Sequence, residues 1–121
     1  MAWKFNGREA VFIQISNRLR CDIVEGKYPP ESQIPSVRQL AFEASVNPNT
    51  MQKALTVLEQ EGLLSTHGTI GRFVTSDSAV LDDAREKMRR EAVRGWMLEA
   101  EHLGISAEEL IRYISEEVDE K

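Results

Sequence analysis

Residues Ile34 to Val74 constrain this chain most, because two helix starts and a hairpin are written into them in quick succession. Ser36 with Gln39 three positions on forms the first start. A serine hydroxyl there accepts from the Gln39 amide, while the glutamine side chain reaches back to the Ser36 amide. Asn47-Pro48 forms the second. Asparagine satisfies an orphan amide, and proline loses nothing at the first helical position, where its N–H would have no partner. Val46 and Met51 flank that cap as a hydrophobic staple. Ala44-Ser45-Val46 leaves room only for a tight turn between the two. The stretch is expected to be a helix-turn-helix.

On the second helix, Met51, Ala54, Leu55 and Leu58 fall on one side of a 3.6-residue turn, and Asn49, Gln52, Lys53 and Thr56 on the other. The outer side therefore carries amides, a hydroxyl and one cation near a helix N-terminus, which itself favours an anion such as phosphate. Amides can pair with adenine edges and lysine can reach guanine or phosphate in a major groove. A plain solvated face would have the same composition; the order of the neighbouring elements favours a DNA reader. Gly62 suits the position that ends the helix. Leu63–Thr66 then reads as a strand, Arg72–Thr75 as its return, and His67-Gly68-Thr69-Ile70-Gly71 as the tip, with two glycines for positive φ. Leu63 and Phe73 are expected inside, with Leu64 or Val74, while His67 and Arg72 are expected outside. Such a ribbon is the wing of a winged helix, able to reach the minor groove or the backbone; a hairpin that merely closes the core satisfies the same pattern.

With these elements placed, the stretch resembles the DNA-binding domain of the GntR family of bacterial transcription regulators. The likeness lies in Pro35-Ser36-x-Arg38-x-Leu40-Ala41 and in Leu58-Glu59-x-Glu61-Gly62-Leu63, and it covers about residues 9 to 75. Val46-Asn47-Pro48-Asn49-Thr50 with Gln52-Lys53-Ala54 is more specific and resembles the YtrA-like branch. The resemblance implies that Ser36, Arg38 and Thr50 hold phosphates or the groove edge. It implies that Asn47, Asn49, Gln52 and Lys53, with Pro48 beside them, line the major groove, and that His67-Gly68 forms the wing tip. Branches with larger effector domains often carry arginine where this chain has Pro48 and Gln52, so guanine readout does not transfer to those positions.

Ahead of this stretch, Met1 to Arg8 is expected to be extended, with Trp3 and Phe5 packed onto something. Glu9 to Glu25 is predicted as the first helix, with Phe12, Ile15, Leu19 and Ile23 at helical spacing and Val11 and Val24 widening the stripe. Such a stripe is core more often than partner surface. Gly26 ends it, Lys27 to Gln33 with Pro29-Pro30 is a loop, and Gln33-Ile34 is expected to pair with the wing as a brief edge strand. Ser76-Asp77-Ser78 is a polar joint that divides the chain into a winged helix-turn-helix domain, 1–75, and a tail, 76–121. The tail is predicted as a helix over Val80–Leu103, broken by Gly104, and a second from Ala107 to about Val118. Ser106 with Glu109 is a third cap, and Ile105 with Leu110 a third staple.

Leu81, Ala84, Met88, Ala92 and Trp96 make one apolar line on the tail, Val93, Met97, Ala100 and Leu103 a second, and Leu110, Ile111, Ile114 and Val118 a third. Two helices cannot enclose a core of their own, so this surface has to be covered. It is expected to pair with a second copy through Leu81, Met88, Ala92, Trp96, Leu103, Leu110 and Ile114. Folding back onto the winged helix of the same chain is the alternative. The fold class is then mainly α with a small β-wing: an N-terminal winged helix-turn-helix and a short C-terminal two-helix dimerisation tail.

A net charge of −5 is a poor first sign for a DNA binder. Residues 1–75 hold 8 Lys or Arg against 7 Asp or Glu, and residues 76–121 hold 7 against 13, so the acid sits in the tail. The first part is only weakly basic, with Arg38, Lys53 and Arg72 as leading phosphate contacts and Lys4, Arg8 or Lys27 as additions. No apolar run approaches a membrane span and no signal-peptide pattern opens the chain, which fits a cytoplasmic protein. Cys21, the single cysteine, excludes an internal disulfide and is expected to pack on or beside the apolar face of the first helix. With only His67 and His102 besides, neither a metal nor a cofactor is expected. No catalytic arrangement has supporting context, and Gly68-x-x-Gly71 is too short to cradle a phosphate. The reading is a DNA-binding transcription regulator, expected to be a repressor that meets an inverted-repeat operator as a homodimer, with helix 48–61 in the major groove and wing 67–72 at the minor groove or backbone. The alternative is a winged helix that contacts protein or RNA. Any effector is unknown; a tail of this length is too short for a roomy single-chain pocket.

Overall fold

The computed structural model describes residues 2–120. Met1, part of the expected extended N-terminal stretch, lies outside them. Helices α1 (Val11–Val24), α2 (Val37–Ala44) and α3 (Pro48–Gln60) precede an antiparallel hairpin of β1 (Leu64–His67) and β2 (Gly71–Val74), and α4 (Ser78–His102) and α5 (Ala107–Asp119) follow. The chain divides into two compact units, one ending at Arg85 and one beginning at Glu86.

In the first unit, α1 is shorter than predicted at both ends. No side chain caps its start at Ala10, and Gly26 at φ +88° turns the chain away. Ile15, Leu19 and Ile23 are buried and Phe12 packs half-buried against them, but Val11 is exposed and does not widen the stripe. Ser16 is buried on this face, with its hydroxyl donating to the Phe12 carbonyl at 2.8 Å. Trp3 and Phe5 also pack on the core, and the Arg18 guanidinium lies 4.0 Å over the Trp3 ring.

The cap signals govern the next two helices. Ser36 Oγ accepts from the Gln39 amide at 3.2 Å; the reciprocal bond from the Gln39 side chain is missing among the described hydrogen bonds, so this cap forms in one direction only. Ser45 ends α2 in the left-handed region, φ +58°, while the Val46 amide returns to the Ala41 carbonyl at 3.0 Å. Ser45 and Val46 make the turn that leads into the Asn47 cap. Asn47 Oδ1 accepts from the Asn49 amide at 2.8 Å and Pro48 is the first residue of α3. Met51, Ala54, Leu55 and Leu58 are all fully buried, so the apolar side of α3 faces the core as predicted. Each large side chain among them contributes about 1.5–3 kcal/mol by burial.

After Gly62 at φ +81°, the strands pair Leu64 with Val74, Ser65 with Phe73, Thr66 with Arg72 and His67 with Gly71. The hairpin thus starts one residue later than predicted on β1 and one earlier on β2, because the Ile70 amide closes onto the His67 carbonyl at 3.0 Å and leaves a shorter tip. Leu63, Leu64 and Val74 are buried, while Phe73 is only half-buried. The brief edge strand is present: Gln33 bridges Phe73, and the Ile34 amide donates to the Arg72 carbonyl at 3.0 Å.

The first turns of α4 belong to this unit. Asp77 Oδ1 accepts from the Ala79 amide at 2.9 Å, Leu81 is buried in the core, and Val80 and Ala84 pack against it. Arg85 donates to the Val24 carbonyl at 2.7 Å and pairs with Asp82. In the second unit, Gly104 at φ +76° separates the rest of α4 from α5. The Ser106–Glu109 cap closes in both directions, each bond 3.1 Å. Ala100 is buried, whereas α5 has no buried residue.

Candidate nucleic-acid interface

The burial of Met51, Ala54, Leu55 and Leu58 fixes what α3 shows outward. Asn47, Pro48, Asn49, Gln52, Lys53 and Thr56 are exposed together, and Thr50 is half-buried. The cap consumes the Asn47 side-chain oxygen but leaves its amide hydrogens to donate. The Thr56 hydroxyl is turned to the Gln52 carbonyl at 3.0 Å. Asn49 and Gln52 form no side-chain hydrogen bond among the described residues, so both amides can offer the donor and acceptor pair that adenine edges match. Ser36 and Arg38 stand exposed at the start of α2, and Arg38 has no carboxylate partner among the described residues.

One predicted cation is placed differently from expectation, and a second is outward as expected but engaged. Arg72 was expected outside; its side chain is 16% exposed and its guanidinium is bound to Glu59 on the last turn of α3. A carboxylate half-withdrawn from water needs a counter-charge, and β2 passes beside it. Lys53 is exposed, but its ammonium rests 4.1 Å over the Phe12 ring on α1, a cation–π contact that competes with a phosphate. Arg20 pairs with Glu61 at 2.7 Å and Lys27 with Asp22 at 3.7 Å, so two more cations of residues 1–75 are engaged by carboxylates.

At the wing, Gly68 (φ +54°), Thr69 and Ile70 form the tip, with Ile70 68% exposed. His67 closes β1; its ring packs on Phe73 at 4.8 Å and lies 2.9 Å from Ser65 Oγ. Glu59 also accepts from Thr66 Oγ1, and Gln33 donates to the Ile70 carbonyl, two ties to the wing that were not expected from sequence. Nothing local signals either bond, since the partners lie 7 to 37 positions away. The Cys21 thiol is half-buried on α1, where burial and its hydrogen bond to Glu25 push its pKa up. Among the described residues no three or more His, Cys, Asp or Glu side chains gather where they could share a metal ion, and no helix is long and apolar enough to cross a membrane.

The pairing residues named from sequence lie in both units. Leu81 is buried in the core of the first unit, not on a surface, because the first turns of α4 pack there. Met88 and Leu110 are half-buried, and Ala92, Trp96 (59%), Leu103 (78%) and Ile114 (50%) are exposed. Val93, Met97, Leu98, Ile111 and Val118 are exposed with them. Within the second unit an open groove of about 380 Å³ lies between the end of α4 and the start of α5, lined by Arg94, Met97, Leu98, Ile105 and Leu110 among others.

Comparison with known proteins agrees with this geometry. Residues 13–74 match the family model described as bacterial regulatory proteins, gntR family. The chain is 29% identical over 107 residues to the HTH-type transcriptional repressor YtrA of Bacillus subtilis, covering 88% of this chain and 82% of that one. It is similar in structure to a GntR family transcriptional regulator from Listeria monocytogenes, with a TM-score of 0.83, 27% identity, and 93% and 98% of the two chains covered. The crystal structure of AraR(DBD) in complex with operator ORX1 matches with a TM-score of 0.54 and 27% identity over 60% of this chain and 93% of that one. The winged helix, its outward amide face and the matched residues together place this chain in the gntR family of bacterial regulatory proteins, as a transcriptional regulator.

Proposed function

We propose that this regulator reads duplex DNA by sequence, as a homodimer on an inverted-repeat operator, and that it represses transcription there. Residues 1–75 act as the reading domain and 76–121 as the pairing region. The observation that carries this is the sidedness of α3: four residues with no exposure at all face inward, so Asn49 and Gln52 are held outward in a fixed register. Helix 48–61 enters the major groove with these two amides at base edges. Asn47, Pro48, Thr50 and Lys53 line the same groove, and Ser36 and Arg38 take phosphates. Wing residues 67–72, led by His67 and Gly68, lie at the minor groove or backbone. A protein of this winged-helix type is bound to an operator in the AraR structure, and YtrA is named a repressor; both support the assignment.

The uncovered apolar surface of the second unit supports the dimer. Trp96, Leu103, Ile111, Ile114 and Val118 are each at least half exposed, an apolar exposure that calls for a cover in water. A second copy covers it and supplies a second recognition helix, which raises affinity through effective concentration without any new contact to DNA. In a gel shift with promoter duplex, Asn49→Ala and Gln52→Ala should each weaken binding by about 1–3 kcal/mol. Equal binding by wild type and both variants, or equal competition by RNA, would count against base reading.

A further inference from the structure

We propose that Glu59 and Gln33 are positioning residues that fix the wing, Glu59 to the recognition helix and Gln33 to the edge strand before α2, so that α3 and the wing meet a duplex as one rigid reader. The inference rests on the DNA-reading function above. Glu59 stands on the last turn of α3, and each of its carboxylate oxygens takes a different strand: Oε1 accepts from Arg72 Nε on β2, and Oε2 accepts from Thr66 Oγ1 on β1 at 3.0 Å. Thr66 and Arg72 are themselves opposite each other across the hairpin. One side chain therefore ties the helix to both strands at the same level. With Arg72 16% and Glu59 29% exposed, the ion pair is half-withdrawn from water, where charge-assisted bonds strengthen.

A second tie comes from the edge strand before α2. Gln33 Nε2 donates to the Ile70 carbonyl at 2.7 Å, holding the tip itself. Gly71 makes room for it: its φ is +141°, and a Cβ there would stand 2.6 Å from Gln33 Nε2. The hairpin needs such ties, because two strands alone are marginal in water. Neither Glu59 nor Gln33 belongs to the buried core, so their loss should loosen the wing without unfolding the domain. The predicted phosphate role of Arg72 is replaced by a bracing one.

The test uses the full chain, a duplex selected from a random library by the wild type, and the variants Glu59→Gln and Gln33→Ala. The amide of Glu59→Gln keeps its size and can still meet both partners, its oxygen accepting from Arg72 and its N–H donating to Thr66 Oγ1, but it removes the negative charge that holds the guanidinium. Each variant should lose about tenfold in affinity. Hydroxyl-radical protection should fade at the minor-groove positions beside each half-site, while protection where α3 enters persists. The unfolding midpoint should move by only a few degrees. Amide exchange without DNA should quicken at His67 and Ile70 and stay unchanged along α1. Wild-type affinity, footprint and exchange in both variants would overturn the bracing role and leave DNA reading standing. So would a loss spread evenly over the footprint in step with a lowered midpoint. A wild type that selects no duplex would overturn DNA reading, and the bracing role with it.

Discussion

Ser45 shows how much one residue decides here. It closes α2 in the left-handed region at φ +58°, ψ +46°, a conformation that costs a side chain with a Cβ about 1–2 kcal/mol. Because Ser45 is exposed, a glycine there would lose no packing. Ser45→Gly should therefore raise stability by about 0.5–1 kcal/mol, after the greater unfolded-state freedom of glycine is allowed for. Urea unfolding measures it, and a drop in stability would mean the serine hydroxyl does more for the turn than its backbone costs. The same scale explains Arg72. Its charge alone suggested a phosphate contact, but a carboxylate within reach and partial burial decide where a guanidinium goes, and Glu59 supplies both. Lys53 is the milder case, held over the Phe12 ring yet still exposed.

Among the elements, helices that carry their own stop and start signals were legible, because caps act within four residues. Asn47-Pro48 and Ser106–Glu109 place α3 and α5 to within a residue. The sidedness of α3 was legible for the same reason: Met51, Ala54, Leu55 and Leu58 repeat at the helical period and all are buried. What depends on partners far along the chain was not legible. The packing of Leu81 into the core, the one-residue shift of the hairpin and the two-strand grip of Glu59 each need contacts that no local pattern announces. The α5 cap also yields a pH test. Hydrogen bonds from the Ser106 backbone and side chain hold the Glu109 carboxyl below its ordinary value of 4.5. A carboxyl depressed in the folded state adds stability above its unfolded pKa and loses it as pH falls through the folded one. Wild type should thus hold the start of α5 better than Glu109→Ala at pH 7. The difference should shrink as the pH falls below that ordinary value and through the lower one of the folded state. Amide shifts at residues 106–109 report it; a gap that persists in acid would assign the cap to something other than the ionised carboxylate.

At the scale of the whole molecule, the charge is split: 7 Lys or Arg against 13 Asp or Glu in residues 76–121, and a near balance before them. Few phosphate contacts are available, so affinity should fall only gently with salt compared with a strongly basic binder. Specificity then has to come from base contacts and from two copies acting together. Ile114 lies on the exposed apolar side of α5, so Ile114→Asp should shift sedimentation toward monomer and weaken operator binding while the winged helix stays folded. A variant that stays paired would move the interface elsewhere. Whether the outward face of α3 reads DNA in duplicate is decided by footprinting of genomic fragments. Protection is expected over two inverted half-sites whose centres lie about one helical turn apart, ~34 Å or a multiple of it. Protection of a single asymmetric site, or of none, would contradict it.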